Sequence, residues 1–308
     1  MEIPNNFKNR VLSALFVARN NYTGVDSAFA KTVELNVSVF NRIKKGESTD
    51  GLISPAKWLR MGRILGVKLD DDKWVIAKTA VFNKIENDLK SCKEHSISLL
   101  FVDECEIGKT GSAIPIIQTM QNCFYVDCSQ AKTKQMFIRL IARTVGVEST
   151  GRFYDVKNDL KYALTNMEKP VVVLDEAGDL EYNAFLEIKE LWNATEGHCG
   201  WYMMGADGLM EKFMRGIRNK KVGYRETFSR FNNKCMSIVP AGPEARKDFY
   251  AEMISEVLVA NLPQDKHYLI NDLVPQILGK DSMFLGCLRR TRTFVKLIKS
   301  EHEASVNA

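Results

Sequence analysis

The stretch Leu99-Leu100-Phe101-Val102-Asp103-Glu104-Cys105-Glu106-Ile107-Gly108-Lys109-Thr110 decides how this chain is read. Four apolar residues suit a buried strand, and the acids and glycine behind them end it before a helix begins. A strand that turns through a Gly-Lys-Thr loop into a helix N-terminus aims backbone N–H groups and the positive end of the helix dipole at one point. That is what holding phosphates requires. On this reading Asp103, Glu106, Ile107, Gly108, Lys109, Thr110 and Gly111 form a phosphate cradle. Lys109 reaches the outer phosphates of a nucleoside triphosphate, and the Thr110 hydroxyl sits on Mg²⁺. The loop departs from GxxxxGK[ST] at its first position, where Asp103 replaces glycine. Aspartate tolerates left-handed backbone angles better than most residues. Its carboxylate, with Glu104 and Glu106 nearby, opposes a polyphosphate, each uncompensated charge about 6 Å away costing about 1–3 kcal/mol at an effective dielectric of about 20. Two outcomes stay open: a site of modest affinity, or a degenerate loop that binds nothing.

A second stretch supports the first outcome. Val171-Val172-Val173-Leu174-Asp175-Glu176 is an apolar strand ending in two acids, about 65 residues after Lys109. This is the Walker B arrangement, in which Asp175 holds Mg²⁺, mostly through water, and Glu176 orients the attacking water. A buried strand with a solvated acid pair at its end is the alternative.

Working outward, the apolar runs 97–102, 123–128, 171–175 and 200–205 alternate with helical stretches. Continuous apolar strands separated by helices predict a parallel sheet covered on both faces, an α/β core over 96–243. A helix over about 79–95 precedes it, behind a linker at 69–76 that carries three consecutive aspartates. Helical segments at 244–261, 265–279 and 281–301 are expected to form a separate all-α end, a helical lid over 244–308.

Residues 1–68 read differently. Phe7, Val11, Leu12, Leu15 and Phe16 share one face of a helix over 5–20. Asp26 or Ser27 caps a second helix, Ser38 caps a third over Val39–Lys45 that stops at Gly46, and Ser54-Pro55 opens a fourth. Short helices with a tight turn between the second and third are the helix-turn-helix pattern, and the segment resembles domains of the phage-repressor type. The third would be the recognition helix, with Ser38, Asn41, Arg42, Lys44 and Lys45 as DNA contacts: Asn41 and Arg42 at base edges, the lysines at phosphates. A plain bundle with a solvated basic face fits the same helices. Charge favours the DNA reading, because this segment holds eleven basic residues against five acidic ones while the remainder is nearly neutral.

The rest of the composition is ordinary. Over 308 residues, 45% are hydrophobic and 26% charged, which fits a soluble globular protein. No apolar run of about 18 residues exists to cross a membrane, and the first residues lack the apolar stretch of a signal peptide. The seven cysteines form no CxxC pair, so a zinc ribbon is not expected, and their scatter suits reduced thiols in a cytoplasm.

The order of parts resembles AAA+ ATPases. After the strand 200–205, Asp207 stands where that family keeps its sensor 1 residue. Phe228-Ser229-Arg230-Phe231 resembles the family's arginine-finger motif, and Gly286-Cys287-Leu288-Arg289-Arg290 its sensor 2 motif, with Arg289 favoured over Arg290. Together with the helix-turn-helix and a short helical lid, the arrangement resembles the family of the phage Mu B and TnsC-like DNA transposition proteins. The resemblance implies an ATPase that binds ATP and Mg²⁺ and assembles on double-stranded DNA as a ring or helical filament of identical subunits. Arg230 would serve a neighbouring subunit's ATP, and Arg215, Arg218, Lys220 and Lys221 would line the DNA path. Such a protein selects target sites and activates a transposase. A helix-turn-helix transcriptional regulator, a nucleotide switch in defence, and a replication initiator or helicase loader are the competing readings.

Overall fold

The computed structural model describes residues 3–69, 74–232, 237–279, 284 and 286–306. The aspartate run at 70–72, Cys235 and the start proposed for the last helix at 281 lie outside them. Strands β1 (Ser98–Val102), β2 (Cys123–Asp127), β3 (Val171–Asp175) and β4 (Gly200–Gly205) form one parallel sheet in the order β1-β4-β3-β2. Their bounds fall within the apolar runs, because burial on both faces selects unbroken apolar sequence.

Alternate residues along each strand feed two cores. Val172 and Leu174 face a layer made of α7 (Lys134–Val145), α8 (Phe153–Asn166), α9 (Tyr182–Ala194), α10 (Asp207–Arg218) and α11 (Tyr224–Arg230). Val171 and Val173 face α5 (Ala80–His95), α6 (Lys109–Thr119) and the C-terminal helices α12 (Pro243–Asn261), α13 (Ile270–Leu278) and α14 (Cys287–Val306). The C-terminal helices are therefore continuous with the core that carries the phosphate loop. Among the described residues no helix is long and apolar enough to cross a membrane.

The N-terminal bundle comprises α1 (Asn5–Asn20), α2 (Asp26–Thr32), α3 (Val37–Lys44) and α4 (Pro55–Ile64). Ser54 caps α4 as expected, its hydroxyl accepting from the Lys57 N–H at 3.4 Å. Two expected caps differ. Asn36, not Ser38, caps α3: its side chain accepts from the Ser38 N–H at 2.9 Å and from the Ser38 hydroxyl at 2.8 Å. Asn36 is two residues upstream and an equally good capping type, so the helix starts earlier and Ser38 becomes its second residue. Neither Asp26 nor Ser27 caps α2. Asp26 lies inside its first turn and instead binds Arg19 at 2.6 Å and Lys44 at 2.7 Å, tying three helices together.

The bundle docks beside the edge strand β2. Tyr22 donates its hydroxyl to the Val145 carbonyl at 3.0 Å, and the Asn122 side chain accepts from both the N–H and hydroxyl of Thr23. Gln118, near the end of α6, donates to the Leu65 carbonyl at 2.8 Å, and its own carbonyl accepts from the Asn21 side chain at 2.7 Å. Gly146, at φ +93°, lies so close to α2 that a Cβ there would stand 2.7 Å from the Ala28 carbonyl oxygen.

Candidate nucleotide site

The loop from Asp103 to Gly108 leaves β1 at its C-terminal end and delivers Lys109 as the first residue of α6. Gly108 is left-handed at φ +89°, and a Cβ there would stand 3.1 Å from the Leu288 side chain, so α14 closes over the loop. Lys109 is 8% exposed and donates to the Asp103 carbonyl at 3.0 Å and to the Glu104 carbonyl. Burial pushes its pKa down, and the carboxylates of Asp103, Glu176 and Asp175 oppose that shift. Thr110 donates its hydroxyl to Asp175 at 2.6 Å, joining the two motifs side chain to side chain.

Asp175 is 2% exposed and fully engaged. One oxygen accepts from Thr110 and from the Tyr125 hydroxyl at 2.8 Å, and the other accepts from the Glu176 N–H at 2.9 Å. Burial, reinforced by Asp175, pushes the Tyr125 phenol far up, so it remains a donor. Sequence reading missed Tyr125; the one usable signal was a hydroxyl-bearing ring within an apolar strand. Glu176 is left-handed at φ +51°, a conformation that for a non-glycine residue is held by its surroundings and concentrates at functional sites. Burial first, then Asp175 and Asp179, raises its carboxyl above 4.5.

Three expectations about the acids of the loop are revised. Asp103 is not among the residues with positive φ; within the loop those are Glu106 at φ +64° and Gly108. Its carboxylate does not face the cradle either. It is 3% exposed and accepts from the backbone N–H groups of Glu104 at 2.8 Å, Ile238 at 2.6 Å and Val239 at 3.3 Å. Glu104 is paired with Arg246 of α12 at 2.7 Å and accepts from the Tyr250 hydroxyl at 2.6 Å. Glu106 is paired with Arg289 of α14 at 2.9 Å. Each carboxylate that sequence placed against a polyphosphate is compensated by a group from the C-terminal part of the chain.

The remaining candidates divide. Ile107 is buried under the loop, and Gly111 is exposed on the first turn of α6. Asp207 is exposed as the first residue of α10, two positions beyond Gly205, whose carbonyl accepts from the Asp103 N–H. Arg289 reaches the loop, while Arg290 turns toward the Leu278 carbonyl and the Cys287 sulfur. Arg230 is not part of this constellation. Its guanidinium binds the Asn193 side chain at 2.8 Å and lies over the Trp192 ring, 5.2 Å from its centroid. Trp192 donates to Ser98, the first residue of β1, so Arg230 sits at the end of the sheet opposite the loop. On α3, Ser38, Asn41 and Arg42 are exposed, as is Lys45 at its C-terminal cap. Arg42 pairs with Glu47 at 2.7 Å, and Lys44, expected at a DNA phosphate, is held by Asp26. Arg215 and Lys220 are exposed, Arg218 pairs with Glu211 at 2.9 Å, and Lys221 lies over the Tyr182 ring.

The donor set fits a triphosphate with Mg²⁺: a left-handed glycine ahead of a helix N-terminus, a buried lysine at the loop, and a hydroxyl already bonded to an aspartate. The parallel sheet and this loop together define an α/β P-loop fold. No protein family and no curated protein matches the sequence. Among solved structures, the Orc1 protein of Aeropyrum pernix in complex with DNA aligns with a TM-score of 0.47 at 15% identity, over 76% of this chain and 68% of that one. A Walker-type ATPase of Pyrococcus abyssi aligns with a TM-score of 0.39 at 15% identity, over 76% of each chain.

Proposed function

We propose that this protein is an AAA+ type ATPase that binds double-stranded DNA and assembles on it with bound ATP, choosing target sites for a transposase. The observation that carries the nucleotide reading is the Thr110–Asp175 hydrogen bond across two motifs far apart in sequence, beside a buried Lys109. Lys109 and the first amides of α6 hold the phosphates, and Thr110 and Asp175 hold Mg²⁺. Bound Mg-ATP supplies the phosphoanhydride whose hydrolysis limits the lifetime of the assembly. Glu176, next to Asp175 at the end of β3, orients the attacking water.

The DNA reading rests on the basic N-terminal bundle and the exposed face of α3 that carries Ser38, Asn41 and Arg42, continued by Lys45 at its cap. Arg215, Lys220 and their neighbours add a second basic surface on the core. Contacts of the core surface go to phosphates, so its affinity falls steeply with salt and depends little on sequence.

The test is binding to a random-sequence duplex with ATP, with ADP and without nucleotide, reading both affinity and complex size. Large complexes that need ATP are expected, and Lys109→Ala is expected to abolish them. A small complex formed equally well without nucleotide would instead identify a helix-turn-helix regulator with a vestigial loop.

A further inference from the structure

The loop carries a carboxylate that no phosphate cradle needs, and its surroundings give it a use. Glu106 holds a left-handed backbone at φ +64°, where glycine or asparagine would be unstrained. Its side chain is largely covered, at 19% exposure, and one oxygen accepts from Arg289 at 2.9 Å. The other oxygen is buried without a hydrogen-bond partner among the described residues and lies 3.6 Å from where a Cβ of Gly286 would stand, so the start of α14 packs against it. Leu288 of the same turn covers Gly108. Arg289 remains 82% exposed and is free to change partners with little desolvation.

Glu104 forms the contrasting contact. Its carboxylate, Arg246 and Tyr250 are mutually engaged, and both members of the ion pair are about a quarter exposed. Burial, reinforced by Glu104, holds the Tyr250 phenol far above its usual pKa, so it stays a donor. One carboxylate of the loop therefore fixes α12, and the other holds α14 by a single accessible guanidinium.

Resting on the nucleotide reading above, we propose that Glu106 is an internal stand-in for phosphate. It holds Arg289 over the loop before ATP arrives and yields it to the terminal phosphate when ATP binds. Nucleotide binding is then coupled to a change in what anchors α14, and Glu106 sets the ATP concentration at which it occurs. Glu106 acts here as a positioning residue through Arg289, and the fixed Glu104–Arg246 contact is the hinge.

The experiment measures the affinity of the full chain for fluorescent ATP and ADP analogues, and amide hydrogen exchange over residues 287–291 without nucleotide. Glu106→Gln keeps the side-chain shape but removes the charge. It is expected to tighten ATP binding about three- to fivefold, the scale of an exposed ion pair, with a smaller gain for ADP. Exchange at the start of α14 is expected to rise in this variant. Arg289→Ala is expected to weaken ATP binding and to cancel the gain when the two substitutions are combined. Unchanged or weaker ATP binding by Glu106→Gln, with wild type binding ATP and Lys109→Ala not, overturns the stand-in and leaves the nucleotide site intact. Absence of ATP binding by wild type and Glu106→Gln alike overturns both readings.

Discussion

At the scale of single residues, the chemistry gathers on Asp175 and Glu176. Asp175 is buried and accepts three hydrogen bonds, whereas Glu176 is exposed and its carboxyl is raised. Adjacent acids with opposed environments suit different tasks, metal holding and water activation. Glu176 must be ionised to act as a base, and its raised pKa moves protonation upward. ATP hydrolysis is therefore expected to show an acid limb above pH 4.5, the ordinary value. Glu176→Gln should bind ATP normally and lose about 10²–10⁴ in turnover, in the range general-base removal gives. A pH–rate profile of both proteins checks this, and full turnover by the variant would reassign the base. The residue scale is also where sequence was least informative. It directed attention to Asp103 as the strained position, but the strain lies at Glu106, and Asp103 serves the chain at 238–239. Partners more than 130 positions away leave no trace in a local pattern.

At the scale of elements, strands and loop were legible because double burial and phosphate geometry each impose a strict local pattern. The third helix was legible in kind but not in its first turn, since Asn36 and Ser38 are both competent caps and only the backbone path decides between them. Asp26 is the element-level feature that no periodicity revealed. Hydrogen bonds from Lys44 and Arg19 hold its carboxyl below 3.8, so the pairing stabilises the bundle above that pH and fades as pH falls through the depressed value. Asp26→Asn should lower the thermal midpoint at pH 7, and the difference from wild type should shrink steadily below pH 3.8. A midpoint difference independent of pH would show that the side chain acts by shape and not by charge. The same substitution releases Lys44, which should strengthen non-specific DNA binding at low salt.

At the scale of the whole molecule, the decisive placement is Arg230 at the far end of the sheet from the loop. One subunit cannot bring it to its own phosphates, so any role in hydrolysis requires a second copy. Its guanidinium is engaged by Asn193, the Glu226 carbonyl and the Trp192 ring. Arg230→Ala is expected to leave the ATP affinity of the monomer unchanged while abolishing ATP-dependent growth of complexes on DNA. Light scattering beside an equilibrium titration separates the two effects, and normal assembly by the variant would remove Arg230 from the interface.

Gln118 carries a last consequence. The helix whose first residue is Lys109 ends, ten positions later, in the contacts that seat the N-terminal bundle at Leu65 and Asn21. At 1.5 Å per residue Lys109 and Gln118 are about 14 Å apart along one helix, whose hydrogen-bond ladder Pro115 interrupts. For protein engineering, a cut between the N-terminal bundle and the α/β core has no safe place here. Removing the first four helices would strip the cover from the Val145 end of α7 and the edge of β2, leaving an adhesive apolar face, while the excised bundle would lose the surface it was shaped against.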